Sequence, residues 1–288
     1  MKANYRELRE RQRSSQLGLS GMSMPKADGG ERPIGAGALA NFADPEVNRQ
    51  AREVFEAMVR SRVDDPEIAE MLIPTDYPIG CKRLVVEIGY FETFNRRNVR
   101  LVNLRTTPIE EITETSVRIG EELIPIDVLV LATGFDAVTG PLSRIDVRGV
   151  DGTTLAEKWK ENPKAYLGIL PAGFPNLFTI NGPGSPSVLT NVIVSIEQHV
   201  DWIADAIQYC EAKGVRSFDA DEDAEQEWMD HVAEAAVGSI FTAGCDSWYL
   251  GSNVEGKTRV FLPYVGGVGP YREICDDVAG DGYRGICW

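Results

Sequence analysis

The sequence predicts an α/β protein that begins with a helical segment. Three observations support this fold class. The first 80 residues combine helical patterns with loops, three short runs of β-branched and apolar residues follow position 82, and a long apolar stripe at helical spacing follows position 188. With 288 residues, the chain is long enough for about two domains.

The N-terminal segment predicts helices joined by loops. Residues 2–13 alternate in charge, which is typical of an exposed helix, and residues 14–41 are rich in Gly, Ser, Ala and Pro, which indicates a long loop. Asp44-Pro45 predicts a helix N-cap followed by proline at the first helical position, and Asp65-Pro66 predicts the start of a second, short helix.

The predicted strands are Leu84–Ile88, Val99–Leu104 and Ile126–Leu131. The last run is nearly all apolar, which predicts a strand covered on both faces in a parallel sheet. It leads into Ala132-Thr133-Gly134. A glycine at the carboxyl end of such a strand marks the edge where open α/β sheets bind their ligands.

Two glycine-rich stretches are candidate anion sites. Gly35–Ala40 matches a dinucleotide-binding fingerprint, but the residues before it cannot form the buried strand that the motif requires, so we reject the match. Gly182–Ser187 precedes the long apolar helix that ends at Lys213-Gly214. This turn could present N–H groups and a helix dipole to an anion or a carbonyl, or it could be a plain serine cap with tight packing.

Composition excludes several classes of function. The 29 basic and 44 acidic residues give a net charge of −15, which disfavours nucleic-acid or anionic-membrane binding. Residues 219–236 contain eight acids and no Lys or Arg, which predicts a solvated helix. Five scattered cysteines without a CxxC motif predict reduced thiols in a cytoplasmic protein. No apolar run is long enough to span a membrane.

Three groups of polar residues are candidates for chemistry. Lys82 and Arg83 would face opposite sides of a strand, or they are simply a basic pair on the surface. Asp246–Tyr249 is either core packing or the wall of a ligand site. His199 and His231 have no neighbouring Ser or Cys in a nucleophile setting, which disfavours hydrolase chemistry.

Six blocks of the sequence form an ordered pattern. They are Cys81-Lys82-Arg83, Gly89–Arg96, Leu131–Asp136, Gly182–Ser187 with Ser195–Gln198, Ser247-Trp248-Tyr249, and Asn253 with Gly256-Lys257. In order and spacing these blocks resemble the Baeyer–Villiger monooxygenases, most closely the phenylacetone and cyclohexanone monooxygenase branch. That resemblance implies an enzyme that uses FAD, NADPH and O2 to convert a ketone to an ester or lactone.

One departure from the family pattern is informative. Family members carry two Rossmann fingerprints and a signature motif before the matching region, and this sequence has none of them. The resemblance therefore implies the C-terminal part of a two-dinucleotide-binding-domain, Rossmann-like flavoprotein. It assigns residues 1–80 to a helical insertion of the NADPH domain, 81–125 to the remaining strands of that domain, and 126–288 to the FAD domain.

The resemblance also implies roles for individual residues. Arg83 matches the catalytic arginine that lies against the flavin and stabilises anionic oxygen intermediates, as a permanently charged guanidinium can. Lys82 matches the lysine that binds the 2′-phosphate of NADPH. Trp248 matches a tryptophan that contacts the nicotinamide cofactor.

Three further positions are expected on the FAD side of the site. Val192 matches a position that touches the flavin, Gly134 ends the strand at the ligand edge, and the helix N-terminus behind Gly184 is expected to face the pyrimidine end of the flavin. Val188 lies in a loop that shapes the ketone pocket in relatives, and it is therefore a candidate for substrate specificity.

Two alternatives stay open at this stage. Related flavin enzymes that oxygenate nitrogen or sulfur share part of the motifs, although the Lys82-Arg83 pair favours the ester-forming type. The chain could also be a non-catalytic remnant, or a subunit that works only with a separate N-terminal FAD- and NADPH-binding half. By itself, the chain is expected to hold FAD weakly or not at all.

Overall fold

The computed structural model describes residues 23–25, 31–33, 44–83, 85, 87–188, 190–242, 246–252 and 254–288. The predicted helix at 2–13, most of the loop at 14–41 and the rejected motif Gly35–Ala40 lie outside the described residues.

The predicted N-terminal helices are confirmed. Helix α1 (Pro45–Arg62) begins at Asp44, whose carboxylate accepts the backbone N–H groups of Glu46 and Val47. Helix α2 (Pro66–Leu72) is capped in the same way by Asp65. Both pack with the short helix α3 (Tyr90–Thr93) around an apolar cluster of Val59, Val63, Ala69, Ile73 and Phe91.

Three long helices form the main core in the second half of the chain. They are α6 (Val192–Lys213), α7 (Glu222–Ala236) and α8 (Val268–Gly280). The two short helices before them, α4 (Gly140–Ser143) and α5 (Leu155–Lys158), pack beside a smaller cluster around Trp159. Helix α7 confirms the acidic helix, because Asp221 caps it and three acids occupy its first turn.

The long helix α6 ends where the sequence predicted but begins later. Gly214 closes it in the left-handed conformation, with a φ of 67°. Its N-cap is Asn191, so the glycine turn Gly182–Ser187 does not open the helix directly, which corrects the prediction. Asn191 fixes the later start, because its side chain accepts the N–H of Ile193 and caps the helix there.

The strands of the described residues pair only in antiparallel ladders. Strands β1 (Ser23–Pro25) and β2 (Glu31–Pro33) form one pair. Strands β3 (Ile109–Ile112), β4 (Ser116–Ile119) and β5 (Glu122–Pro125) form a meander, and β6 (Asp219–Ala220) pairs with β7 (Ile286–Cys287).

The three strands predicted from apolar runs are wrong for the described residues. Residues 85, 87 and 88 of the first run, all of Val99–Leu104 and all of Ile126–Leu131 lie outside any strand. A strand exists only when a neighbouring strand accepts and donates its backbone hydrogen bonds. Among the described residues, the bond of this kind to these runs goes from the N–H of Ile126 to the carbonyl of Thr115, which is not enough for a ladder. The meander β3–β5, which the sequence analysis missed, turns at Gly120 with a φ of 58°.

Two further expectations can be compared with the structure. Cys210, Cys275 and Cys287 are free thiols, but Cys81 is disulfide-bonded, which corrects the prediction of five reduced cysteines. Within the described ranges, none of the helices combines the length and the apolar character needed to cross a bilayer.

Candidate functional site

Three segments far apart in the sequence meet around a cavity of about 670 Å³. The first segment contains Lys82 and Arg83, the second is the turn at Thr133-Gly134, and the third is the loop Asp246–Tyr249. Four of the six predicted site residues therefore share one cavity: Lys82, Arg83, Gly134 and Trp248.

The backbone of Arg83 is fixed to a buried tyrosine. Its N–H donates to Tyr249 Oη at 3.1 Å, and the Tyr249 side chain is only 2% exposed in a cluster with Cys81, Val188 and Phe241. Burial raises the pKa of Tyr249, so its phenol stays neutral. Tyr249 thus anchors Arg83 on a rigid core, while the Arg83 side chain stays exposed at the cavity.

The guanidinium of Arg83 reaches toward the start of helix α6. Its Nη1 donates to the carbonyl of Thr190 at 3.4 Å, one residue before the N-cap Asn191. The hypothesis of a catalytic arginine required this side chain to lie near both the long helix and the Trp248 loop. The structure places it there.

Lys82 leaves the backbone in a different direction. Its Nζ lies 4.2 Å from the centre of the Tyr77 ring, a cation–π contact that Arg83 does not share. The two cations contact different partners, but both line the same cavity and the segment is not a strand, so the prediction that they lie on opposite faces of a strand is wrong. The cavity offers two positive charges at separate positions.

The Trp248 loop contributes one residue to the core and one to the cavity. Trp248–Leu250 forms a 3-10 turn in which Tyr249 joins the core and Trp248 stays 41% exposed at the cavity. The two rings meet edge to face, with centroids 4.4 Å apart. Trp248 can therefore offer its indole face to a planar ligand while its position is set by a buried neighbour.

An ion pair joins two walls of the cavity. Lys257 Nζ lies 2.5 Å from Asp136 Oδ1 and also donates to the carbonyl of Ala137. This pair ties the turn that carries Gly134 to the loop that carries Trp248. The sequence analysis quoted Lys257 and Asp136 only as motif members and assigned no role to them, because nothing in their spacing predicts a contact.

Gly134 leaves open space beside its backbone. Its φ is +92°, and no atom lies within 4 Å of the position where a Cβ would stand. A side chain is disfavoured by the backbone conformation, and a ligand can approach the main chain closely. Together with two cations and an exposed indole, this cradle fits an anionic dinucleotide that carries a planar ring.

Gly184 and Val192 do not line the cavity among the described residues. Gly184 is buried, with a φ of +89°, and a Cβ there would stand 2.5 Å from Trp228 Nε1. Its turn is therefore packed against helix α7 rather than set at a helix N-terminus. Val192 is the first residue of α6 and is 38% exposed, two residues from the carbonyl that Arg83 contacts.

Comparisons with known proteins identify relatives of this chain. No family model matches the chain. The chain is 39% identical over 247 residues to the acetone monooxygenase (methyl acetate-forming) of Gordonia sp. (strain TY-5). The aligned region covers 85% of this chain and 46% of that relative. It is 37% identical over 253 residues to the Baeyer-Villiger monooxygenase of Pseudooceanicola batsensis, and this aligned region covers 87% of this chain and 45% of that protein.

A solved structure gives the same result in three dimensions. OTEMO in complex with FAD and NADP superposes with a TM-score of 0.78 at 36% identity, over 85% of this chain and 45% of that one. The matched region is the C-terminal portion of these enzymes. The chain spans about half the length of the curated relatives that it matches.

Proposed function

We propose that this chain contributes the C-terminal part of an FAD- and NADPH-dependent enzyme that converts ketones to esters or lactones with O2. The proposal starts from the homology of the chain to the C-terminal portion of the Baeyer–Villiger monooxygenases. The observation that carries the proposal is the shared cavity of Lys82, Arg83, Gly134 and Trp248. These residues supply two cations, an open glycine backbone and an indole to the same cavity.

Each residue has a chemical role in this proposal. Lys82 binds the 2′-phosphate of NADPH, and Trp248 packs against the nicotinamide part of that cofactor. Gly134 lets the flavin approach the backbone, and Val192 completes the FAD side at the start of α6. Gly184, which is buried against Trp228, has no part in this site. When bound, the flavin supplies the redox chemistry with O2 that no side chain here can perform.

Arg83 is the proposed catalytic residue. Its guanidinium keeps a positive charge at any physiological pH and offers several N–H donors to an oxyanion that develops during attack on the ketone. The hydrogen bond from its backbone N–H to Tyr249 Oη holds the residue in place before the reaction begins. The backbone of Arg83 is thereby fixed, and the contact of its Nη1 with the carbonyl of Thr190 directs the guanidinium toward the start of α6.

The other parts of the enzyme are proposed on the same basis. A separate or preceding N-terminal half is proposed to supply the Rossmann-like fingerprints, with residues 1–125 belonging to the NADPH domain and 126–288 to the FAD domain. The cytoplasmic location stays a prediction from the sequence.

The proposal is tested by reconstitution. The chain is co-expressed with the part of the Gordonia acetone monooxygenase that it does not match, and ketone-dependent NADPH oxidation is measured together with the ester product. We expect Arg83→Ala to lower ester formation about 100-fold or more while NADPH still reduces the flavin.

A matched control separates this effect from a general loss of charge. Arg144→Ala removes an exposed arginine outside the cavity and is expected to leave both steps unchanged. Unchanged ester yield in Arg83→Ala would remove Arg83 from its role. An oxygenated nitrogen or sulfur product in place of an ester would favour the related class of flavin enzymes.

A further inference from the structure

Lys82 rests on an aromatic ring, while the carboxylates around it are bound to other cations. Its Nζ lies 4.2 Å from the centre of the Tyr77 ring. The ion pairs of the neighbouring carboxylates are Asp76 with Arg105 at 2.9 Å, Asp136 with Lys257 at 2.5 Å, and Asp246 with Arg259 at 2.5 Å. The partner that holds Lys82 is therefore uncharged, and the charge of the ammonium stays available to an anion.

The Tyr77 ring is itself held in place. Its ring packs against the apolar cluster that contains Cys81 and Tyr249, and burial raises the pKa of Tyr77, so its phenol stays neutral. The carbonyl of Tyr77 accepts a hydrogen bond from Arg52 Nη2 at 2.5 Å, and Arg52 Nη1 donates to the carbonyl of Pro74. Helix α1, which carries Arg52, thus fixes the ring from behind.

A fixed ring changes what Lys82 can do for an anion. A lysine ammonium sits on a flexible four-carbon stem, and ordering that stem during binding lowers affinity. The ring holds the ammonium before the anion arrives, so part of this cost is removed. The ammonium has three N–H donors, and those directed away from the ring can still reach a phosphate oxygen.

We propose that Tyr77 is a positioning residue for the 2′-phosphate of NADPH, which holds the Lys82 ammonium at the cavity and so strengthens the preference for NADPH over NADH. The inference rests on the proposed function, in which Lys82 binds that phosphate. Tyr77 lies outside the described lining of the cavity, so it acts through Lys82 rather than by contact with the cofactor.

The two nicotinamide cofactors separate a positioning role from a structural one. NADPH and NADH differ only in the 2′-phosphate, so a residue that acts through Lys82 changes the affinity for one of them. A residue that merely supports the fold changes the affinity for both.

The test measures the Kd of NADP+ and of NAD+ by NMR titration of the full chain, following the Lys82 side chain and the indole N–H of Trp248. We expect the wild type to bind NADP+ more tightly than NAD+. Tyr77→Leu is expected to weaken NADP+ binding about 3- to 10-fold, because the Lys82 stem must then be ordered on binding, and to leave NAD+ binding unchanged. Tyr77→Phe keeps the ring face and should retain both wild-type values.

The contact between Lys82 and Tyr77 is also measured without any cofactor. Protons held over the face of an aromatic ring resonate upfield. The methylene protons next to Lys82 Nζ should therefore be shifted upfield in the wild type and in Tyr77→Phe, and this shift should be lost in Tyr77→Leu.

Two controls show whether Tyr77 acts through Lys82. Lys82→Met should abolish the preference for NADP+, and Tyr77→Leu added to Lys82→Met should cause no further loss, because residues that act as a unit are not additive. Tyr90→Leu changes another partly exposed tyrosine, which packs against Phe91 and Phe94 away from the cavity, and it should leave both Kd values unchanged.

Each outcome decides the proposal. Equal weakening of NADP+ and NAD+ in Tyr77→Leu, a further loss in the double variant, or the absence of the upfield shift in the wild type would overturn the positioning role. A preference for NADP+ that depends on Lys82 but not on Tyr77 would overturn this inference and leave the proposed function standing. A wild-type chain that binds NADP+ no more tightly than NAD+ would refute the proposed role of Lys82 and this inference with it.

Discussion

A buried histidine makes the stability of this chain depend on pH. His199 is 0% exposed in helix α6. Its Nδ1 accepts the N–H of Asn181 at 3.2 Å, and its Nε2 lies 2.7 Å from Tyr271 Oη. The hydroxyl of Tyr271 in turn donates to the carbonyl of Leu167 at 2.5 Å. These partners assign the neutral tautomer with its proton on Nε2, because only that form satisfies every group.

The protonated form does not fit this site. A proton on Nδ1 would face the N–H of Asn181, so donor would meet donor, and the charge would be buried. Burial accordingly lowers the pKa of His199 from 6.5 to about 4. Asn181 has a φ of 54° and immediately precedes the glycine turn, so the histidine holds that turn to the helix.

The size and sign of the effect follow from the two pKa values. Because the folded pKa is the lower one, the unfolded chain takes up the proton first as the pH falls. The stabilisation is fully present above pH 6.5 and is lost as the pH falls toward 4. The difference amounts to about 3 kcal/mol of unfolding free energy, with a slope of about 1.4 kcal/mol per pH unit within that window.

Urea unfolding followed by tryptophan fluorescence, at pH values across this window, measures the effect. We expect His199→Gln to be less stable than wild type at neutral pH and to lose less stability between pH 6.5 and 4. His231→Gln is the control, because His231 is the other histidine of the chain and is exposed. If His199→Gln kept the full wild-type slope, the assignment of the slope to this imidazole would be wrong.

Two further predictions concern the glycines Gly184 and Gly134 and the ion pair of Lys257. Gly184→Ala is expected to lower the unfolding free energy by about 2–4 kcal/mol, because its Cβ would stand 2.5 Å from Trp228 Nε1. Gly134 has a similar φ but open space around it, so Gly134→Ala should lower the unfolding free energy by only about 1–2 kcal/mol in the same urea titration. Lys257→Met is expected to loosen the loop at 246–252 by about 1–3 kcal/mol, since it breaks a largely buried ion pair with Asp136. Hydrogen exchange of the amides in that loop measures the change. Lys257→Arg keeps the positive charge and should retain the wild-type protection of those amides. Unaltered exchange in Lys257→Met would contradict the role of the ion pair.

Local signals in the sequence correctly predicted the beginnings of α1 and α2 and the end of α6. Asp44 and Asp65, each followed by proline, mark the beginnings of α1 and α2, and Gly214 marks the end of α6. Each of these signals acts through hydrogen bonds or backbone angles within a few residues, so the sequence contains all the information that is needed. The start of α6 was predicted too early, because the serines and glycines at 182–187 resemble a cap while the N-cap is Asn191.

Strands and site contacts depend on partners that are distant in sequence. The apolar run at 126–131 was predicted as a buried strand from its composition alone, but pairing requires neighbours that the described residues do not supply. The hydrogen bond from Arg83 to Tyr249 spans 166 positions, and the ion pair from Lys257 to Asp136 spans 121. The motifs indicated which residues belong to the site, and only the fold shows which of them hold the others in place.

The two cavity walls differ in how firmly this chain holds them. Arg83 is hydrogen-bonded to a tyrosine that is buried in an apolar cluster, so its wall is supported by the core of this chain. Gly134 follows a run of four exposed apolar residues, and the residues after it are tied to Lys257 by the ion pair at Asp136 and the hydrogen bond to the carbonyl of Ala137. A site with one rigid wall and one loosely held wall must order the second wall whenever it binds a ligand, and that ordering lowers affinity. Cofactor affinity in this chain should therefore be limited by the support of the Gly134 wall rather than by the chemistry of the residues that line the cavity.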